Sequence, residues 1–184
     1  MVRAYVLAGK LLRRFRRARD GATAVEFALI SVPFFGILFA IIETGLVFFT
    51  GQVMESAASS AGRLIMTGQI AKIADSTTQV NTFKTQFCAN ISWFMKCGDV
   101  YYDVRAYTAF TGADLSMPIK NNAFDKTNLP RFQPGTTGQI VVVRAYYPRK
   151  IYLDYMSLMG GSSGALDGNV RLLVATSVFK NEPF

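Results

Sequence analysis

The chain has 184 residues, a formal net charge of +8 and no histidine. Seven basic residues lie within residues 1–21 against one acidic residue, so the rest of the chain carries only +2. Because the positive charge belongs to a short leader, the composition disfavours a nucleic-acid-binding domain and is typical of the cytoplasmic side of a membrane helix. A polybasic arm for DNA or RNA is the alternative.

An apolar segment follows the leader. It is uncharged from residue 27 to residue 42 and stays apolar as far as Phe49, past Glu43. At about 1.5 Å per helical residue, residues 22–49 are long enough to cross a hydrocarbon core of roughly 30 Å. We therefore predict three parts: a basic cytoplasmic leader (residues 1–21), a transmembrane helix (residues 22–49) and an extracytoplasmic domain (residues 50–184).

The junction between leader and helix places a carboxylate, Glu26, at the start of the apolar run. A charge at the bilayer centre costs a few kcal/mol. Gly21 supplies chain flexibility that would help a protease. If the bond after Gly21 is cut, the new amine of Ala22 lies four residues from Glu26, and the two could pair within a chain or between chains. The alternatives are an interfacial Glu26 neutralised by nearby arginines, and signal-peptidase cleavage near Ala61.

Small residues recur at every fourth position of the apolar helix. Such a stripe lets a second helix approach closely, although membrane helices are rich in small residues anyway. The predicted helix-packing positions are Ala28, Pro33, Gly36 and Ala40. Pro33 removes a backbone hydrogen bond, so a kink or a partly melted turn is expected there.

Apolar spacing predicts an extension of the first helix and a second helix. Residues 50–67 continue the first helix as an amphipathic segment that ends at Gly68 and packs on the following domain. Residues 76–95 form a second helix, with Ser76 or Thr77 as its N-cap and an apolar face that packs inward.

Three stretches read as strands, at residues 100–110, 139–147 and 170–179. The middle one is apolar on both faces, so it is predicted to be central and to end at Pro148. A turn-rich excursion separates the first two strands, and a short helix (residues 151–159) with a glycine-serine loop separates the last two. These parts predict an α+β fold, in which a three-stranded antiparallel sheet rests on the outer half of the long helix.

The chain has two cysteines, Cys88 and Cys97, both in the predicted extracytoplasmic part. In an oxidising compartment they would form a disulfide that closes a small loop and contributes roughly 2–4 kcal/mol. Two reduced, buried thiols are the alternative. Without histidine or a C-x-x-C pair, no metal site is expected.

The helix start carries a family resemblance. The string Gly21-Ala-Thr-Ala-Val-Glu-Phe-Ala-Leu-Ile follows a basic leader, and Pro33 lies seven residues after Glu26. It resembles the TadE/TadG-like pseudopilins of the tight-adherence (Flp-type) pilus system, within the type IV prepilin class. Residues 63–69 resemble the segment after the helix of that family, and residues 174–184 resemble the end of many of its chains. Unlike many type IV pilins, the chain has Ala22 and not an aromatic residue after the glycine.

The resemblance implies a pilin-like domain and a TadE-like minor pilin that a prepilin peptidase cuts after Gly21. Glu26 would then neutralise the N-terminal amine of a neighbouring subunit. The implied partners are that peptidase, other pilins or pseudopilins, inner-membrane pilus-assembly proteins and the lipid bilayer, with no nucleic acid. The implied location is the bacterial inner membrane, single-pass, with the N-terminus cytoplasmic and the C-terminal domain periplasmic or incorporated into the pilus.

No enzymatic chemistry or cofactor is expected. Residues 160–164 match the G-x-S-x-G pattern, but the serine would need a base and the chain has no histidine. Asp99 and Asp103 lie on one face of a predicted strand. We interpret both as solvent-exposed residues at the edge of the sheet and not as a catalytic pair.

Two other functions remain open. The first is an uncleaved, signal-anchored envelope protein whose outer domain binds a protein or a ligand through exposed tyrosines. The second is a soluble exported form, cut near Ala61.

Overall fold

A computed structural model describes residues 21–151 and 165–183. Residues 1–20 of the predicted leader, and most of the predicted short helix with the glycine-serine loop after it, lie outside the described residues. The chain divides into two compact units, Met1–Ile42 and Glu43–Phe184.

The first helix, α1, runs without a break from Ala22 to Met66, through Pro33. It ends where Gly68 adopts a left-handed conformation (φ 70°), which glycine takes without steric cost. Up to Ile42 most of its side chains are exposed. In the part that belongs to the second unit, one stripe is buried. The stripe comprises Thr50, Met54, Ala57, Ala58, Ala61, Gly62 and Ile65, at the spacing of a helix face that packs on a core.

The second helix, α2, runs from Ser76 to Ile91. Its N-cap is Asp75, one residue before the predicted Ser76 or Thr77. The Asp75 carboxylate accepts hydrogen bonds from the backbone N–H (2.7 Å) and the hydroxyl (2.6 Å) of Thr78. These bonds hold the pKa of Asp75 below its usual value. A short 3₁₀ helix, Cys97–Asp99, leads into the sheet.

The sheet corrects the prediction of three antiparallel strands, because it has four strands in mixed orientation. Its strands are β1 (Tyr101–Tyr107), β4 (Arg131–Phe132), β5 (Ile140–Lys150) and β6 (Val170–Lys180), in the order β4-β1-β5-β6. β5 pairs antiparallel with β1 and with β6, whereas β4 pairs parallel with β1. β4 has two residues, which is too short for an alternating apolar pattern to mark it.

β5 continues past Pro148, where the sequence predicted its end. The pairing with β1 stops at Tyr101 opposite Tyr146, so among the described strands only β6 pairs with residues 147–150. A strand with one open side tolerates a residue that lacks an N–H. The excursion between β1 and β5 also contains a small hairpin. It joins β2 (Ile119–Lys120) to β3 (Ala123–Phe124) through two asparagines with positive φ.

The core of the second unit lies between α1, α2 and the sheet. Small residues of α1 let the other elements approach its backbone, and aromatic rings fill the space between α2 and β1. Phe83 and Phe87 of α2 pack edge-on against Tyr102 of β1, with ring centroids 5.7 and 5.0 Å apart. The outer half of α1 is therefore part of the domain core.

Candidate assembly surface on the apolar helix

The helix start lies open to solvent. Gly21 is exposed, an added Cβ would meet no atom within 4 Å, and its carbonyl accepts the first helical hydrogen bond, from Val25 (3.1 Å). Ala22 begins the helix and Glu26 lies one turn further along. Within the described parts of the chain, the Glu26 carboxylate makes no hydrogen bond or ion pair. Both groups are therefore accessible to a partner.

The apolar segment of α1 exposes large side chains on all sides. A window of 18 residues in it is long and apolar enough to cross a membrane, and none of that window is buried. The exposed large hydrophobic residues up to Ile42 are Val25, Phe27, Leu29, Ile30, Val32, Phe34, Phe35, Ile37, Leu38, Phe39, Ile41 and Ile42. A continuous apolar surface of this length is covered by lipid or by other apolar helices in a native protein.

The predicted packing positions lie on this segment. Ala28 and Pro33 are exposed, and Gly36 and Ala40 are partly exposed. The hydroxyl of Ser31 donates to the carbonyl of Ala28 (3.1 Å). The role of these positions in helix packing stays a prediction.

The sulfur atoms of Cys88 and Cys97 are bonded in the structure, with a Cα–Cα distance of 5.6 Å. The bond ties the last turns of α2 to the 3₁₀ helix before β1. The hydroxyl of Tyr102 lies 3.3 Å from the Cys97 sulfur. Burial raises the pKa of Tyr102 to about 12.

Asp103 lies in the interior, so the sequence-based interpretation of a solvated edge is wrong for this residue. It is 2% exposed. Its two oxygens accept from Nε of Arg105 and from Nη2 of Arg144, each at 2.8 Å. Arg105 also pairs with the exposed Asp114 at 3.1 Å. Hydrogen bonds from Ser116, with a smaller contribution from Arg105, lower the pKa of Asp114 to about 2.

A cavity of about 520 Å³ opens on the second unit where the apolar run of α1 ends. Thr50, Tyr101, Lys126, Arg149 and Lys150 contribute to its lining. Sequence reasoning missed this cavity, because its residues come from four separated stretches of the chain. The cluster of basic residues around Pro148 was the one feature of the sequence that could have indicated a charged site there.

Comparison with known proteins agrees with the resemblance at the helix. Residues 21–63 match the family model described as TadE-like protein. The match begins at Gly21 and covers the exposed apolar segment and most of the buried stripe. No curated protein and no solved structure matches the chain. The resemblance of residues 174–184 stays a prediction. Residues 21–63 are thus similar to the TadE-like protein family, and this match together with the exposed apolar helix supports a membrane-anchored protein.

Proposed function

We propose that the protein is a membrane-anchored pseudopilin that contributes to the assembly or structure of a tight-adherence (Flp, type IV-like) pilus. The observation that carries this proposal is the exposed apolar segment of α1 lying within the residues that match the TadE-like family. The protein crosses the bacterial inner membrane once. The basic leader stays in the cytoplasm and the domain from residue 50 onward lies in the periplasm.

A prepilin peptidase removes the leader after Gly21. The exposure of Gly21 and the open space around it support this proposal, since a protease needs an accessible backbone at the bond it cuts. Cleavage creates a charged amine at Ala22, one helical turn from the Glu26 carboxylate. Inside the membrane an unpaired carboxylate is costly. Glu26 therefore favours the register in which a neighbouring amine lies beside it.

The apolar segment also carries the contacts with the partners. Lipid covers it while the protein waits in the membrane. When the subunit joins a pilus, or the base of one, the apolar helices of other pilins or pseudopilins replace the lipid. Ala28, Gly36 and Ala40 are the positions at which those helices approach most closely. Inner-membrane pilus-assembly proteins complete the set of partners.

Processing is tested with Gly21→Leu in cells that contain the peptidase. We expect mass spectrometry to find Ala22 as the mature N-terminus of the wild type and the intact leader in the variant. Gly112→Leu is a matched control, because Gly112 is also exposed with no atom within 4 Å of an added Cβ. An uncut wild-type chain would contradict the processing proposal.

Assembly is tested separately with Glu26→Ala. We expect this variant to be cut normally and to assemble poorly, whereas Glu55→Ala, which removes another exposed carboxylate of α1, assembles as the wild type. Equal assembly of the two variants would refute the role of Glu26. A third chain distinguishes the binding-module alternative: residues 1–21 are deleted and residues 22–49 are replaced by an unrelated membrane-spanning helix, so that the buried stripe of α1 is kept. Retained function in that chain would favour the binding module over the pseudopilin.

A further inference from the structure

The cavity beside Thr50 is positively charged. Of the described residues that line it, three are basic (Lys126, Arg149 and Lys150) and one, Asp99, is acidic. Lys126 is held in place, since its Nζ lies 4.8 Å from the centroid of the Tyr101 ring, which also lines the cavity. A volume of about 520 Å³ is within the range of small-molecule sites. The charge favours an anion, and the size admits one larger than an inorganic ion.

Hydrogen bonds fix one side of the cavity to the end of the apolar run. Nη1 of Arg149 donates to the carbonyl of Leu46 (2.9 Å) and to the hydroxyl of Thr50 (2.7 Å). Leu46 belongs to the apolar stretch, and Thr50 is the first buried residue of α1. The guanidinium is thus held at the end of the apolar run of α1, where a membrane crossed by residues 22–49 would end.

An aromatic cluster adjoins the cavity on the same level of α1. It consists of Phe49, Trp93 and Phe94, with ring centroids 5.1 to 6.0 Å apart. Phe94 also lines the cavity. Trp93 is 67% exposed, and its ring N–H donates to the carbonyl of Asn90. Exposed aromatic rings of this kind are enriched at the headgroup level of membranes.

We propose that this cavity binds the phosphate of an anionic phospholipid headgroup at the outer face of the membrane. Lys126, Arg149 and Lys150 attract the phosphate, and the Phe49–Trp93–Phe94 cluster contacts the adjoining part of the lipid. A free phosphate would meet the same cations, but it would leave the exposed aromatic cluster uncovered. The assignment rests on membrane anchoring by α1, and it requires neither leader cleavage nor pilus assembly.

Trp93 is the one tryptophan of the chain, so its fluorescence reports on lipid beside the cavity. The full-length protein is placed in phosphatidylcholine nanodiscs that contain a fixed fraction of brominated phosphatidylglycerol or brominated phosphatidylcholine. The excess quenching by the anionic lipid measures its preference for the site. We expect a clear preference in the wild type and, in Lys126→Gln/Lys150→Gln, a preference reduced on the order of tenfold, because each cation near the surface contributes independently.

Lys72→Gln/Lys180→Gln is the control, because it removes two exposed lysines away from the cavity and leaves the leader unchanged. The proposal is overturned if both double variants show the same preference, or if inorganic phosphate at the headgroup concentration abolishes the excess quenching. Lys150→Gln alone serves if the double variant does not fold. A negative result here leaves the processing and assembly tests standing, since they depend on Gly21 and Glu26.

Discussion

Replacing Asp103 by Asn should destabilise the domain strongly. The side chains of Asp103 and Arg144 are 1% and 5% exposed, and their ion pair is 2.8 Å long. Without the carboxylate, the Arg144 guanidinium stays buried with one described hydrogen bond, to the carbonyl of Ser116 at 3.0 Å. Breaking a buried ion pair from one side costs about 3–5 kcal/mol. This is a large part of the roughly 5–15 kcal/mol by which domains are stable.

The assay is urea unfolding of the full-length protein in detergent, followed by Trp93 fluorescence. With a slope of about 1–3 kcal/mol per molar urea, a loss of about 3–5 kcal/mol should lower the midpoint by on the order of 1–5 M. Asp114→Asn, at the exposed end of the same network, should shift it far less. Asp103→Asn/Arg144→Met should recover much of the loss, because no buried charge remains unpaired. A small shift for Asp103→Asn, or no recovery in the double variant, would refute the reasoning.

Three other predictions use the same domain. Gly62→Ala should lower the urea midpoint, because a Cβ added at Gly62 would lie 2.7 Å from the Phe179 ring. Gly51→Ala should not lower it, because a Cβ added at Gly51 would meet no atom within 4 Å. Cys88→Ser should lower the free energy of unfolding in urea by roughly 2–4 kcal/mol, because it removes the disulfide. Thiol labelling of the denatured wild type should find no reactive cysteine, and a labelled wild type would contradict the disulfide. The pKa of Asp114 is about 2 in the folded protein and 3.8 for an ordinary aspartate. Its ionised carboxylate therefore stabilises the fold above about pH 4, and this stabilisation is lost as the pH falls through 2. Thermal midpoints of wild type and Asp114→Asn should therefore differ at pH 6 and converge at pH 2.

Helices were the predictable part of this fold. The apolar run and the amphipathic spacing after it indicate one long helix, and the structure has it from Ala22 to Met66. The helix end at Gly68 follows from the conformational freedom of glycine. The cap of α2 was misplaced by one residue because Asp75, Ser76 and Thr77 are all good N-caps. Which of these three residues is the N-cap depends on the backbone conformation at the start of the helix, which cannot be read from the sequence.

The sheet and the polar network were less predictable, because their determinants lie far apart in the chain. β4 consists of two residues between prolines and is recognised by its pairing with Asp103 and Val104. The burial of Asp103 depends on Arg144, 41 residues away. Arg149 reaches back across about a hundred residues to Leu46 and Thr50. Hydrophobic periodicity and secondary-structure propensity describe local structure. They therefore do not identify contacts between residues that lie about 40 to 100 positions apart in the chain.

A change in side-chain size along α1 explains how one helix serves two environments. Before Thr50 its large apolar residues are exposed, as contact with lipid or with neighbouring helices requires. After Thr50 the buried stripe contains Ala57, Ala58, Ala61 and Gly62, and the Phe179 ring lies directly over Gly62. Small residues let the domain approach the helix backbone, which large residues would prevent. The domain therefore folds around the outer half of α1, and removing the helix to obtain a soluble domain would remove part of its core.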